Sequence, residues 1–186
     1  MQKQKPISLK APSFLNPKDI LRQSDIAQNM IVADLGCGSG YMTFAASKLV
    51  GPSGIVYAVD VQKAVLSGIR SDISFYGARN VKPVWADIEV PNATGISNDS
   101  VDLVMLVMNL YQSKKPDMIF AESYRMTKPG GKLLVVDWRK EAIPVGPNVN
   151  ERIAYDVVLK HAKNAGFSFV KDIKTDEYHY GLIFKK

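Results

Sequence analysis
A chain of 186 residues, 46% hydrophobic and 23% charged, can bury a full core and has the composition of one ordinary globular domain. It has no apolar run near the ~20 residues of a membrane span, its basic start lacks the apolar stretch of a secretory leader, and a single cysteine, Cys37, excludes an internal disulfide framework. No Cys/His cluster offers a metal site, and a cytoplasmic protein is expected.

The net charge of +6 is uneven: residues 1–29 carry +3, 30–110 carry −2 and 111–186 carry +5. Basic ends can attract an anionic partner such as RNA, or can simply be solvated lysine, since they form no long block. The sequence is silent on oligomeric state, a homodimer included.

Residues 1–13, with Pro6, Pro12 and scattered lysines, lack a period and are expected to form a flexible arm; 14–186 are expected to form one domain. Asn16 suits a helix cap and Pro17 the first helical position. Phe14, Leu15, Ile20, Leu21 and Ile26 then suggest an amphipathic helix over Pro17 to Gln28, either a lid over a ligand or simple edge packing.

The informative stretch is 30–44. Met30 to Ala33 is an apolar strand ending in Asp34, followed by glycines at 36, 38 and 40. A helical stretch follows, with Tyr41, Phe44, Ala45 and Leu49 on one stripe. Strand, glycine turn and helix lay out a cofactor site in an open parallel sheet, where glycines let a ligand approach the backbone. The dinucleotide pattern G-x-G-x-x-G fails, because its last glycine falls on Tyr41 or Thr43. An acid two residues before the first glycine disfavours a pyrophosphate and favours a cation.

After a Gly51–Gly54 turn, Ile55 to Val59 is a second strand ending in Asp60, an acid placed to accept both hydroxyls of a ribose. Ala64, Val65 and Ile69 mark the next helix face. Val81 to Ala86 is a strand whose Pro83 fits an edge position; it ends in Asp87, either an acceptor for an adenine amino group or a solvated acid. After a polar loop over Pro91 to Ser100, Val101 to Met108 is a near-continuous apolar run, the mark of a central strand. Asn109 and Tyr111 follow it beside the expected crevice and are the candidate catalytic residues; Tyr111 can equally pack with its hydroxyl exposed.

Pro116 opens a helix with Ile119, Phe120, Ser123 and Met126 inward, stopped at Lys128–Gly131. Lys132 to Val136 is a fifth strand, followed by Asp137-Trp138-Arg139 and a Pro/Gly loop over 141–147. Asn148 and Glu151 resemble a capping box for a helix with Ile153, Val157, Val158, Ala162 and Ala165 inward and Lys160, a solvated His161 and Lys163 outward. The chain ends in a hairpin, Phe167 to Ile173 and Tyr178 to Phe184, with His179 expected to be structural.

Val-Ala-Asp-Leu-Gly-Cys-Gly-Ser-Gly resembles the first motif of the class I S-adenosylmethionine-dependent methyltransferases. Val-Tyr-Ala-Val-Asp, Ala-Asp-Ile, and Ser-Val-Asp-Leu-Val with Arg-Met-Thr-Lys-Pro-Gly-Gly-Lys-Leu are similar to its later motifs, with Thr127 standing where a leucine is usual. The resemblance covers about residues 14–186, and the quinone-biosynthesis-like small-molecule enzymes are the nearest subgroup. It implies an α/β, doubly wound, mostly parallel seven-stranded Rossmann-like sheet with an antiparallel C-terminal hairpin strand. It also implies S-adenosyl-L-methionine as cofactor. Asp34 would help hold its amino group, Gly36, Cys37, Gly38 and Gly40 its methionine portion, Asp60 the ribose, and Asp87 with Ile88 the adenine, with Val61 as a further cofactor-binding residue.

The acceptor expected is a small molecule; the alternatives are RNA or protein methylation, or a module that binds the cofactor without transferring its methyl. The sequence has no Asn-Pro-Pro-Tyr after the fourth strand and no Pro-Cys nucleophile, and one cysteine disfavours arsenite chemistry.

Overall fold
The computed structural model describes residues 15–141 and 145–186; the expected arm at 1–13, and Phe14, lie outside the described residues. Seven strands form one sheet in the order β3-β2-β1-β4-β5-β7-β6. They are β1 (Ile31–Leu35), β2 (Ile55–Asp60), β3 (Val81–Trp85), β4 (Val101–Val107), β5 (Thr127–Trp138), β6 (Ser168–Asp172) and β7 (His179–Lys185). The first five are parallel; β7 lies antiparallel between β5 and β6. The strand order reverses between β1 and β4, which leaves a crevice beyond their carboxyl ends.

Among the described residues five helices cover the faces: α1 (Pro17–Gln23), α2 (Tyr41–Val50), α3 (Lys63–Tyr76), α4 (Pro116–Met126) and α5 (Tyr155–Ala165). One apolar cluster joins α1, α2 and α3 to the sheet, and the other joins α4 and α5 to it. Pro83 sits on the edge strand β3, as its missing N–H requires. Among the described residues no helix is long and apolar enough to cross a membrane.

Several expected boundaries shift, each for a local reason. β1 runs through Asp34 to Leu35, because Asp34 is paired on both sides, with Ala58 and Met105. Asn16 caps α1 and Pro17 opens it, but the helix ends at Gln23 rather than Gln28. The Ser24 amide closes the last turn, and Asp25 and Asn29 take left-handed conformations that no helix continues. Ile20 and Leu21 are buried, so α1 packs into the core.

On α2 the buried stripe is Met42, Ala46 and Val50 with Thr43 and Ser47; Tyr41 is exposed. The two hydroxyls rotate this face because each has a buried partner, Asp34 for Thr43 and Asn80 for Ser47. On α3 the inward residues are Leu66 and Ile69, with Ala64 exposed. α5 begins at Tyr155 with no side-chain cap, and Asn148 and Glu151 close a separate turn before it. His161 is not solvated: its ring stacks on Phe120 at 5.8 Å, and Nδ1 lies 2.5 Å from Asp117, which ties α5 to α4.

Glu122 on α4 carries no local sequence signal and is 3% exposed. It accepts from the Asn92 amide, the Thr94 hydroxyl and the Arg125 guanidinium. Burial pushes its pKa up, but these donors outweigh burial and hold it below the ordinary value. Glu122→Gln is therefore expected to destabilise the fold by about 2 kcal/mol, since one partner of a half-buried pair is removed. The loss should be seen in urea unfolding at pH 7 and should fade as pH falls through the depressed pKa, where the native carboxylate is itself protonated.

Candidate active site
A cleft of about 500 Å³ opens beyond the carboxyl ends of β1 to β4. That volume lies in the range of small-molecule sites, about 300–1,000 Å³. Its lining includes four carboxylates, Asp34, Asp60, Asp87 and Glu89, and among the described residues no lysine or arginine. Such a wall suits a ligand with a cation, an amine or hydroxyl donors, and repels a phosphate.

Asp34 is 2% exposed, and the Thr43 hydroxyl donates to its Oδ2 at 2.5 Å. Burial raises its pKa to about 6, although the hydroxyl and amide of Thr43 pull the other way. Asp60, at the end of β2, accepts from the Gly38 amide at 3.1 Å and the Gln62 amide at 2.8 Å. It therefore stitches the glycine loop to the second strand. Asp87 is exposed on the cleft wall and accepts from the Glu89 amide.

Glu89 reaches across to the segment after β4. Its Oε1 accepts from the Ser113 hydroxyl at 2.6 Å and the Lys114 amide at 3.0 Å. The Ser113 bond is the largest influence holding its pKa below the ordinary value. Val61 lines the cleft from an exposed position, and Ile88 lines it half-buried.

The glycine loop works by space more than by free amides. The Gly36 and Cys37 amides donate to the Val59 carbonyl, and the Gly40 amide donates to Cys37. A Cβ on Gly38 would meet nothing within 4 Å, which leaves the cleft side open for a ligand. Gly40 does not line the cleft; a Cβ there would lie 2.6 Å from Ile69, so it serves the packing of α2 on α3. Cys37 is 7% exposed, and burial with the Asp34 and Asp60 charges pushes its thiol far up, so it stays protonated.

Asn109 lines the cleft, and its Nδ2 donates to the Leu35 carbonyl across the switch point. Gly36 has to be glycine for this bond, since its Cβ would lie 2.6 Å from Asn109 Nδ2. The Oδ1 of Asn109 is buried with no partner among the described residues. Tyr111, the other candidate, is half-buried in a short 3-10 turn and does not line the cleft; Gln112 and Ser113 do. A 3-10 turn repeats every three residues, so Asn109 and Gln112 share the cleft side and Tyr111 between them does not.

Sequence reasoning gave no role to Asp137, which ends β5. It is fully buried and accepts from the Leu110 and Trp138 amides, fixing the segment that carries Asn109. Burial raises its pKa to about 6, against those two amides. Its signal was the one that marked Asp60, an acid directly after an apolar run. Thr43 left no such signal, because its partner is nine residues away.

A family model described as a methyltransferase domain matches residues 26–184. The chain belongs to the class I S-adenosylmethionine-dependent methyltransferase family. It is 32% identical over 136 residues to the ubiquinone/menaquinone biosynthesis C-methyltransferase UbiE of Hahella chejuensis, covering 73% of this chain and 51% of that one. It is also 32% identical over 125 residues to an arsenite methyltransferase of Halobacterium salinarum, covering 66% and 30%. The chain thus spans about half or less of the length of these relatives. A solved S-adenosylmethionine-dependent methyltransferase from Aquifex aeolicus superposes with a TM-score of 0.85 at 25% identity, covering 92% of this chain and 90% of that one.

Class I methyltransferases of this family use S-adenosyl-L-methionine, and the residues present fit it. The cleft offers an acid for an ammonium, a second for a ribose and an apolar wall at Val61 and Ile88. The partnerless Oδ1 of Asn109 calls for a donor, and the methionine ammonium is one.

Proposed function
We propose that this chain transfers the methyl group of S-adenosyl-L-methionine to a small-molecule acceptor. The observation that carries this reading is the cleft whose carboxylates follow three strands of the sheet, with no opposing cation among the described residues. When bound, the cofactor supplies a methyl group on a good leaving group, so the protein has mainly to align it and exclude water.

Each side chain then has a task. Asp34 takes the ammonium, helped by Asn109 Oδ1. Asp60 takes the ribose hydroxyls while its amide bonds keep the glycine loop in place. Asp87, Ile88 and Val61 receive the adenine. Glu89 pins Ser113 and the chain after it as the far wall. Asn109 moves in this reading from the acceptor to the cofactor, and Tyr111 is left without an acceptor role.

The arsenite relative does not carry its acceptor over, because the single thiol, Cys37, is buried and protonated. A planar quinone-type acceptor needs no thiol and is the better match. Product formation across an acceptor panel tests transfer, and a cofactor-binding protein with no product would overturn it. A steep salt dependence of acceptor binding would favour the RNA reading over the small molecule.

Asn109→Ala is expected to weaken S-adenosylhomocysteine about tenfold, the scale of one lost hydrogen bond near a charge. Methylthioadenosine, which lacks the amino-acid portion, should bind the variant and the native protein alike. Equal losses for both ligands in calorimetry would show that Asn109 shapes the cleft without touching the ammonium.

A further inference from the structure
α3 ends on two exposed rings. Phe75 is 81% exposed, more than any other large hydrophobic side chain among the described residues, and Tyr76 is 58% exposed. Tyr76 lies 5.0 Å from Phe75, edge to face, and 5.4 Å from Phe44 on α2. The three rings form one aromatic cluster across α2 and α3. Single exposed apolar residues are ordinary, but a contiguous group of this kind marks a contact surface.

Two hollows flank the cluster and share Phe44, Lys48 and Tyr76. The larger, of about 540 Å³, runs to Asn16 and Lys18 at the start of α1 and shares Ser39 and Tyr41 with the cofactor cleft. The smaller, of about 360 Å³, reaches Arg79. Among the described residues their linings hold three cations, Lys18, Lys48 and Arg79, against one acid, the half-buried Asp72. All three cations are exposed, and none has an ion-pair partner among the described residues. Lys48 Nζ lies over the Tyr76 ring at 6.0 Å. Residues 1–14 add Lys3, Lys5 and Lys10 and no acid, and they lead into Asn16 on this same face.

Charge and ring geometry narrow the partner. A second copy of this chain would bring like charges together. Tyr76 is engaged by two rings and a lysine, which leaves little open face on which a base could stack. Unpaired cations on long stems suit negative charge spread over a fluid layer, where no fixed geometry is required. Aromatic rings flanked by Lys and Arg are the side chains that hold a protein at a bilayer interface.

We propose that this face docks on an anionic membrane surface, with Phe75 and Tyr76 entering the headgroup layer and Lys18, Lys48 and Arg79 meeting lipid phosphates. The docking is independent of the methyltransferase reading. Through Ser39 and Tyr41 it sets the mouth of the cleft beside the bilayer.

The test is cosedimentation of the full chain with phosphatidylcholine vesicles, with and without one-third phosphatidylglycerol. Each cation near an anionic surface contributes roughly fivefold, so the anionic vesicles should bind about tenfold or more tighter, and added salt should erase most of that gain. Lys48→Glu with Arg79→Glu should weaken anionic vesicle binding about tenfold or more. Phe75→Ser with Tyr76→Ser should do the same by removing the apolar contact. Both pairs should leave S-adenosylhomocysteine affinity within about twofold, since none of the four residues lines the cleft. Should a double variant fail to fold, Phe75→Ser alone, at the most exposed position, decides with a loss of about threefold or more. Equal binding to the two vesicle types, binding to neither, or native vesicle binding by the variants overturns the proposal. Binding of a uridine oligonucleotide that the same variants lose, without vesicle binding, also overturns it and assigns the face to nucleic acid.

Discussion

Asp60→Ala is expected to weaken S-adenosylhomocysteine binding by roughly 30- to 150-fold, about 2–3 kcal/mol, with little change in global stability. The carboxylate has two tasks that fail together. It is the acceptor for the ribose hydroxyls in the proposed complex, and it already accepts from the Gly38 and Gln62 amides. Alanine therefore removes ligand contacts and also unpins the glycine loop. Asp60→Asn separates the tasks: its one remaining acceptor oxygen holds one amide, so its loss should be smaller. Calorimetry with both variants is the measurement. An Asp60→Ala protein that binds with native affinity would take Asp60 out of the site.

Asp34→Asn should move binding and stability in opposite directions. The native carboxyl is buried, and its pKa is raised from 3.8 to about 6. A raised acid binds its proton more tightly folded than unfolded. Folding is therefore penalised once the group must ionise, and the penalty grows as pH rises from about 4 to about 6 and is complete above that. A shift of about two units corresponds to roughly 3 kcal/mol. Asparagine keeps an acceptor for the Thr43 hydroxyl and has no charge to bury. The ligand-free variant should thus melt roughly 5–10 °C higher at pH 7.5, with the gain vanishing near pH 4.

Its affinity for S-adenosylhomocysteine should fall by on the order of tenfold to a hundredfold, because a charge-assisted bond to the ammonium is lost. Native affinity should also fall between pH 7.5 and pH 5.5 as Asp34 takes up its proton, while the variant stays flat. A variant that is both less stable and pH-sensitive would contradict this account. The same opposition explains why a costly buried acid is kept: the cleft spends stability on a charge that only a cationic ligand repays.

Much of this protein is legible without coordinates. Apolar runs closed by Asp34, Asp60 and Asp87 mark where three strands near their carboxyl ends, because an acid there is kept only where it can face a cleft. The glycine spacing at 36, 38 and 40 tells a nucleoside site from a dinucleotide one. Pro83 places its strand at an edge, and the run over 101–108 places another at the centre. Each of these follows from short-range rules, such as missing amides, side-chain alternation and the conformational freedom of glycine.

What failed was set by partners far along the chain. The buried stripe of α2 follows Thr43 and Ser47 because Asp34 and Asn80 reach them. Gly40 looks like a loop glycine and serves helix packing, since Ile69 lies where its Cβ would be. Tyr111 turns off the cleft because the chain winds into a 3-10 turn after β4. Glu122 and Asp137 are ordinary polar residues until the fold brings Arg125 and Leu110 beside them. The sequence by itself determined the strand order's raw material, the acids and the ligand class. Only the tertiary structure decided which polar atoms are buried without partners, because burial depends on every element that packs over an atom and no local pattern records it.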